Sequence, residues 1–211
     1  MKKLNYLLLF TAFFVGNSFV SLSQENNNSS YDHIKNHLRI GINYSMNGTW
    51  NEVTLMYQNE YQRKLNKYLE LGLGLGFSNY ISEFIVNDPF NSGYVPDKAF
   101  NSTSIVSFDL MINLLVINFE KHFFKVGTGY SLRKVKRIKW RTINYTQDIL
   151  GNKVALINYE KTDGFDGGLI LGIEYGYRIT PHFSTSVSGR YYSEGKYVSL
   201  AMTGINFYYS F

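Results

Sequence analysis

Residues 69–77 read Leu-Glu-Leu-Gly-Leu-Gly-Leu-Gly-Phe, the clearest two-residue repeat in the chain. Side chains of a β-strand point alternately to its two faces, so the leucines and Phe77 share one face while Glu70 and the glycines share the other. A soluble amphipathic strand would show the same alternation. A strand with lipid on one face and a crowded barrel interior on the other explains the glycines of the second face better than a soluble strand does. The segment therefore predicts a strand in the wall of a membrane barrel.

The C-terminal segment, residues 205–211, has the same period and ends on an aromatic residue. Asn206, Tyr208 and Ser210 share one face of this strand. The opposite face carries large apolar side chains: Ile205, Phe207, Tyr209 and Phe211. A polar lumen and surrounding lipid account for the two sets, so the segment predicts the last strand of the barrel.

Period-2 patterns predict eight strands, at residues 37–45, 52–62, 68–80, 102–118, 123–132, 164–178, 183–192 and 197–211. Connections 63–67, 119–122 and 179–182 are short, whereas 81–101 and 133–163 are long. Outer-membrane barrels have short periplasmic turns and longer extracellular loops. The fold class that we predict is all-β, an eight-stranded antiparallel up-and-down transmembrane β-barrel at 37–211, with both termini periplasmic. A soluble sandwich or lipocalin-like barrel would turn its apolar face inward, where this chain places glycine and charge.

The start of the eighth strand leaves two interpretations open. Val198, Leu200 and Met202 are apolar on the face assigned to the lumen, while Ser199 and Thr203 fall on the lipid face. A β-bulge or an inverted start would each explain this, because a one-residue slip moves every side chain to the other face.

The N-terminus has the three parts of a secretory signal. Lys2 and Lys3 are followed by an apolar run at 6–15 and by the small-x-small site at 21–23, which predicts cleavage before Gln24. The apolar run is shorter than the roughly 20 residues that span a bilayer as a helix, which disfavours a membrane anchor. Residues 1–23 are therefore the predicted signal peptide, and residues 24–36, rich in Asn and Ser, a periplasmic tail.

Composition agrees with a membrane barrel and narrows the function. The chain has 18 Tyr, 16 Phe and 18 Gly but only 3 Pro, which favours strands with unbroken hydrogen-bond ladders. A net charge of +5, to which the signal lysines contribute, is too small to indicate nucleic acid as a partner. There is no Cys, hence no disulfide. The four His are scattered without metal-ligand spacing, so we predict neither metal nor cofactor.

From residue 24 onward the chain resembles the OmpA/OmpX-like superfamily of small outer-membrane barrels, in strand count, in alternating connection lengths and in the C-terminal aromatic. The resemblance implies a Gram-negative-type outer membrane as the location, with lipid as the surrounding partner. It also implies that Ile205, Phe207, Tyr209 and Phe211 form the signal that the barrel-assembly machinery reads during insertion. The resemblance is architectural, and it specifies function poorly.

Eight charged residues fall on the predicted luminal face. An eight-stranded barrel has an interior just wide enough for side chains to fill, and a buried charge without a partner is strongly destabilising. We therefore expect the charges to pair and the lumen to be mostly plugged. The predicted network consists of Arg39, Lys125, Arg178 and Arg190 with Glu60, Glu70, Asp109 and Glu174. The alternative is a narrow channel for ions or small solutes.

The long connections 81–101 and 133–163 favour a structural or interaction protein. The second begins with cations that alternate with apolar residues and are candidates for contact with lipopolysaccharide phosphates: Arg133, Lys134, Lys136, Arg137, Lys139 and Arg141. A solvated charged loop explains them equally well. Together with residues 153–160 this segment also predicts a hairpin that projects from the membrane, whose edge would bind an extracellular protein.

One motif resembles that of the barrel-shaped lipid A deacylases, namely His182-Phe183-Ser184 with Glu194 further along. A serine nucleophile needs its base and an orienting acid within hydrogen-bond reach. The predicted seventh strand separates His182 from Glu194 by about 30 Å, and Ser184 lacks the Asn that follows the serine in that family. A lipid-modifying enzyme is therefore the least favoured function, and we predict no catalytic residue.

Overall fold

A computed structural model describes residues 35–47, 52–86, 97–147, 153–193 and 199–211. These residues form eight strands that neighbour one another in chain order and close into a barrel. Every neighbouring pair is antiparallel, including β1 with β8. The predicted eight-stranded up-and-down barrel is thus confirmed. The predicted signal peptide, and the tail as far as residue 34, lie outside the described residues.

The strands differ greatly in length. They are β1 Asn36–Asn47, β2 Glu52–Lys64, β3 Leu69–Val86, β4 Asp97–Asn118, β5 His122–Gln147, β6 Lys153–Arg178, β7 Phe183–Tyr192 and β8 Leu200–Ser210. β5 and β6 have 26 residues each, against 10 and 11 in β7 and β8. Within the described ranges, no helix is long and apolar enough to cross a membrane.

The three short turns, the start of β1 and Phe211 lie at one end of the barrel, here called the turn end. Leu65 N donates to Leu69 O at 2.9 Å, and Ile179 N donates to Phe183 O at 2.9 Å, so each turn closes on its own strands. Asn36 and Phe211 exchange two backbone hydrogen bonds, of 3.1 and 2.9 Å, which join the first strand to the last. The opposite end is called the far end. Closure removes the open sheet edges over the length of the shortest strands.

The barrel is apolar outside and polar inside, the reverse of a soluble barrel. Leu75 and Phe77 expose 60% and 52% of their surface on the outer face, while Glu70 on the other face exposes 2%. The same alternation continues around the wall, because neighbouring strands pair residues of the same face directly opposite each other, as Leu75 does with Phe108.

The prediction of long loops at 81–101 and 133–163 is wrong for their first and last residues, which belong to strands. β3 continues to Val86 and β4 begins at Asp97, while β5 continues to Gln147 and β6 begins at Lys153. The alternation of leucine and glycine stops where the strands leave the apolar belt, so the sequence pattern underestimated their length. The predicted hairpin within 133–163 is confirmed by the pairing of β5 with β6, which shifts register once, between Trp140 and Thr142. Residues 87–96 and 148–152 lie outside the described residues.

β8 needs no shift of register. Leu200 and Met202 lie on the luminal face, 1% and 4% exposed, and pack in an apolar cluster at the far end of the lumen. Neither the bulge nor the inversion occurs between Leu200 and Ser210, because the pairings of β8 with β7 and β1 are uninterrupted. Register shifts occur instead in β4, between Leu115 and Ile117, and in β5, beside Trp140. Val198 lies outside the described residues.

Candidate functional site: a charged lumen and a projecting hairpin

The middle of the lumen is occupied by ion pairs centred on Glu60. Its Oε2 accepts from Arg39 Nη1 at 2.9 Å and from Arg190 Nη2 at 2.5 Å. Arg39 Nε lies 3.8 Å from Glu174 Oε2, and Tyr208 donates its hydroxyl to Glu174. These side chains come from β1, β2, β6, β7 and β8, and period-2 alternation turns each of them inward. Four of the eight predicted luminal charges therefore meet in one layer.

A second charged layer lies nearer the turn end. Lys125 Nζ is 2.6 Å from Glu70 Oε2 and donates to Gln62 Oε1 at 3.0 Å. The same ammonium lies over the rings of Phe123 and Tyr208, 4.9 and 5.0 Å from their centroids. Cations are attracted to the negative faces of aromatic rings. The layer thus combines an ion pair with two aromatic contacts.

Asp109 is buried with neutral partners. Ser131 Oγ donates to its Oδ1 at 2.6 Å, while Tyr192 Oη and Gln58 Nε2 donate to Oδ2 at 2.9 and 3.2 Å. Three donors satisfy most of the acceptor capacity of a carboxyl group. Asp109 thus belongs to a hydrogen-bond network between the central ion pairs and the far end.

Arg178, predicted to join the luminal charges, lies elsewhere. Its guanidinium donates to the backbone carbonyls of Phe119 and Glu120 and to the side chain of Asn118, all at the β4–β5 turn. The reason is position, because Arg178 is the last residue of β6 and reaches the rim at the turn end. The prediction that Arg178 joins the luminal ion pairs is therefore wrong, because its guanidinium lies at the rim of the barrel.

Arg133 is buried in the lumen, which corrects its assignment to lipopolysaccharide contact. It is 0% exposed, and its Nη2 lies 3.2 Å from Asp166 Oδ2 and 3.2 Å from the carbonyl oxygen of Ser193. The sequence interpretation missed this pair because it ended the fifth strand at Leu132. Continuing the alternation by one step from Ser131 would have placed Arg133 inside.

An apolar layer occupies the far end of the described lumen. It consists of Met56, Ile105, Met111, Val135, Ile170, Tyr192, Leu200 and Met202. Below it, a cavity of about 10 Å³ lies between Met111, Lys125 and Arg190, room for about one water molecule. Three successive layers of side chains therefore cross the lumen.

The β5–β6 hairpin rises beyond the closed part of the wall. β6 pairs with β7 only from Ile170 onward, and β5 pairs with β4 only as far as Ile138. The β5–β6 pairing nevertheless continues to Gln147 and Lys153. Two neighbouring strands thus extend past their partners at the far end.

Along β6, before Leu169, no strand of the described residues pairs with the side of the hairpin that faces away from β5. Leu169 exchanges hydrogen bonds of 2.8 Å with Ser193, so its backbone N–H and C=O point toward β7. Alternate residues of a strand direct their backbone groups to the same side. Residues of the same parity as Leu169 therefore point away from β5, and no described strand pairs with them there: Gly167, Phe165, Asp163 and Lys161.

The hairpin distributes the other predicted cations over both of its faces. Lys134 and Lys136 lie on the outer face, Arg137 is half-buried on the inward side, and Lys139 and Arg141 are exposed near the β5 bulge. Lys161, directly opposite Ile138, adds an outward cation that the sequence interpretation did not include. The six predicted cations therefore do not form one surface.

Lys134 is partly neutralised and partly shielded. Its Nζ lies 2.5 Å from Asp163 Oδ1 and 4.7 Å from the centroid of the Phe165 ring. The hydrogen bond from Lys134 lowers the pKa of the exposed Asp163 carboxyl below its usual value. Beside this pair, Phe100 and Tyr159 pack with ring centroids 4.9 Å apart, and Trp140 N donates to Asn101 Oδ1 at 3.2 Å.

The His182 and Ser184 side chains have different surroundings. His182 Nδ1 lies 2.8 Å from the backbone carbonyl oxygen of Ser210, at the turn end. Ser184 faces the lumen, and Glu194 lies outside the described residues. Among the residues that the structure describes, no three His, Asp or Glu side chains come close enough to hold a metal ion.

No protein-family model and no curated protein matches the sequence. Solved structures similar to the chain include Ail of Yersinia pestis, 14% identical over 84% of this chain and 99% of that chain, with a TM-score of 0.46. The N-terminal β-barrel domain of Pseudomonas aeruginosa OprF is 14% identical, covering 85% and 100%, with a TM-score of 0.47. Neisserial surface protein A is 10% identical, covering 84% and 97%, also at 0.47. Likeness at this level does not extend to function.

Proposed function

We propose that this chain is an integral outer-membrane β-barrel with a mostly plugged lumen that acts as a structural and interaction protein. The observation that carries the proposal is the β5–β6 hairpin, which extends past the closed wall and whose β6 edge pairs with no described strand. The proposal places segments 81–101 and 133–163 outside the cell, and the β6 edge belongs to the second segment.

The outer surface supports placement in a membrane. A barrel strand needs about 9–11 residues to cross the hydrocarbon, and β7 and β8 have 10 and 11. Tyr175, Tyr177 and Tyr209 lie exposed on the outer face toward the turn end, where an aromatic girdle is expected. Short turns favour a periplasmic turn end, and the same reasoning places both termini in the periplasm.

The C-terminal strand supports recognition by the barrel-assembly machinery during insertion. The four residues of the assembly signal are between 46% and 59% exposed on the lipid-facing side: Ile205, Phe207, Tyr209 and Phe211. Their side chains are therefore accessible along the β8 strand.

The filled lumen favours a structural role over a narrow channel. Arg39, Glu60 and Arg190 are almost fully buried and cross the lumen together, between the apolar layer and the second charged layer around Lys125. An ion would have to displace paired charges and then pass apolar side chains. The contact of His182 with Ser210, rather than with Ser184, likewise supports a function other than catalysis.

The open edge of β6 supports binding of an extracellular protein by strand addition. Main-chain hydrogen bonds provide the affinity in this mode, and proteins usually protect such edges. Asp163 and Lys161 give the edge alternating charge, which discourages self-association while leaving the backbone groups available.

Blocking that edge is expected to abolish partner binding. The backbone N–H of Lys161 points away from β5, toward the open edge. A proline at this position therefore removes that N–H without breaking a hydrogen bond to β5. Cells that display K161P should lose most of their attachment to serum-protein-coated surfaces, measured against cells displaying K161T. The threonine variant removes the same charge but keeps the N–H. Equal attachment of both variants would contradict recognition through the edge.

Contact with lipopolysaccharide is a second candidate function, supported by the outward cations. Lys134, Lys136 and Lys161 share the outer face of the hairpin, where it leaves the apolar belt near the Phe165 side chain. Lysines at this level can pair with headgroup phosphates, and aromatic side chains suit the same interface.

The triple variant K134Q/K136Q/K161Q is expected to bind lipopolysaccharide about thirtyfold more weakly at low ionic strength. Each lysine near an anionic surface contributes about 1 kcal/mol, and Asp163 offsets one of the three. Binding would be titrated with the barrel in neutral detergent. The matched control, K35Q/K67Q/K121Q, changes three exposed lysines at the turn end. If both triple variants lost the same affinity for lipopolysaccharide, the effect would come from the net charge of the protein and not from the hairpin lysines.

A further inference from the structure

The outer face of the four long strands, β3 to β6, changes character in three steps toward the far end. The apolar belt ends at the row of Phe77 and Val106, which are 52% and 47% exposed. The next two rows combine two isoleucines with six polar side chains, namely Asn79, Ser102, Ser104, Lys136, Lys161 and Asp163. Aromatic residues follow on three neighbouring strands, Phe100 on β4, Trp140 on β5 and Tyr159 on β6. A polar zone therefore separates these rings from the lipid belt.

Phe100, Trp140 and Tyr159 form a group here called the ring platform. The Phe100 and Tyr159 ring centroids are 4.9 Å apart, and their planes are inclined by 34°. Trp140 lies on the strand between them, directly opposite Tyr159, and its backbone N–H donates to Asn101 Oδ1 at 3.2 Å. Phe100 is 37% exposed, while Trp140 and Tyr159 are half-buried. The strands thus hold the rings together and leave part of their surface open.

The ring platform lies too far from the belt to belong to an interfacial girdle. Phe100 is six residues beyond Val106 on β4, about 20 Å along the strand and about 15 Å in height for a strand tilted by about 40°. Interfacial aromatic residues lie at the level of the headgroups, directly next to the hydrocarbon. Phe165 fits that description, because the Lys134 ammonium lies 4.7 Å from the centroid of its ring. The ring platform therefore meets whatever extends outward from the headgroups.

We propose that the ring platform binds the core sugars of lipopolysaccharide in the surrounding leaflet. In this lipid the phosphates lie next to the hydrocarbon and the core sugars extend outward from them, the same order as lysines and then rings on the hairpin. A sugar ring presents a face of C–H groups, which the negative face of an aromatic ring attracts. In the row below, Ser102 and Lys161 supply hydrogen-bonding groups for sugar hydroxyls. The inference rests on the lipopolysaccharide contact proposed above.

Two lipids test the sugar contact: lipopolysaccharide with its complete core, and lipid A, which has the phosphates but no core sugars. In neutral detergent the native barrel should bind lipopolysaccharide more tightly than lipid A. F100L/Y159L keeps apolar side chains but removes the flat rings, so it should lose most of this preference and keep its affinity for lipid A. The matched control, F108L/Y130L, replaces two exposed rings of the lipid belt and should keep the preference. The same preference in both double variants would overturn the proposal.

A second measurement keeps the ring platform intact. The chain has two tryptophans, so W50F leaves Trp140 as the only one. Core oligosaccharide freed of its lipid should shift the fluorescence emission of Trp140 in this variant, and an unchanged emission would overturn the proposal. Heat-modifiable migration reports the folding of each variant. A folded native chain that binds lipopolysaccharide and lipid A equally refutes the sugar contact alone, whereas one that binds neither refutes the lipopolysaccharide contact itself.

Discussion

The substitution E60Q is expected to destabilise the barrel by about 3–5 kcal/mol, the cost typical of removing one partner from a buried ion pair. Glu60 is the shared acceptor for Arg39 and Arg190, and all three side chains are at least 95% buried. Glutamine keeps the shape but removes the charge, so Arg190 loses its ion-pair partner and Arg39 retains the more distant carboxylate of Glu174, 3.8 Å from its Nε. Repulsion between the two guanidinium groups adds to the desolvation penalty.

Urea unfolding in lipid vesicles, followed by tryptophan fluorescence, measures this loss. The matched control is E160Q, an exposed acid on the hairpin, which we expect to change stability by less than about 0.5 kcal/mol. If E60Q were as stable as E160Q, the central ion pairs would contribute nothing to the fold.

The quadruple variant R39M/E60L/E174M/R190M, which removes all four charges of the central layer, provides an internal check on the cause. Replacing a whole buried ionic cluster by apolar residues of similar size is often neutral or stabilising. We expect this quadruple variant to unfold at a higher urea concentration than E60Q. The reverse order would indicate that packing around Glu60, and not its charge, explains the loss.

The substitution G204A is expected to weaken the closing seam of the barrel by about 3 kcal/mol, at the upper end of the cost of overpacking. Gly204 lies on β8, opposite Asn43 of β1. A Cβ atom there would overlap the backbone carbonyl oxygen of Ile42 and the side chain of Asn43. A backbone atom held in the β1–β8 ladder cannot move aside as the end of a side chain can, so the seam must open.

G189A is the matched control for the seam. A Cβ at Gly189 on β7 would lie 3.7 Å from Ile173, an ordinary contact, so this variant should fold like the native chain. Heat-modifiable migration and urea unfolding in vesicles compare the two alanines. Equal stability of G204A and G189A would show that the β1–β8 seam tolerates a methyl group.

Strand faces could be predicted from the sequence, whereas strand lengths could not. The face of each residue in 69–77 follows from the alternation of apolar and small or polar side chains along the strand itself. This alternation does not depend on which strands pair with it. Inside the membrane the alternation is strong because lipid selects apolar side chains on every second position. Past Leu132 and before Gly164 that selection stops, so the pattern no longer separates strand from loop. Cross-strand pairing of β5 with β6 decides the extent of the hairpin.

The luminal site was partly predictable for the same reason. Parity identified Arg39, Glu60, Lys125 and Arg190 as inward, but it could not show which charge meets which. Position along the strand is also required, as the placement of Arg178 at the rim shows. Arg133 was missed because the predicted strand ended at Leu132, directly before it, whereas β5 continues to Gln147.

Alternation and a terminal aromatic are local properties, and they were enough to indicate a barrel wall with an apolar outside. Which charges compensate one another depends on closure, because Glu60 and Arg190 are 130 residues apart and meet only across the lumen. The edge of β6 that no described strand pairs with also emerges only when neighbouring strands are in place. Whether a polar group is satisfied depends on its spatial neighbours, and these are set by register and shear, which a single strand does not encode.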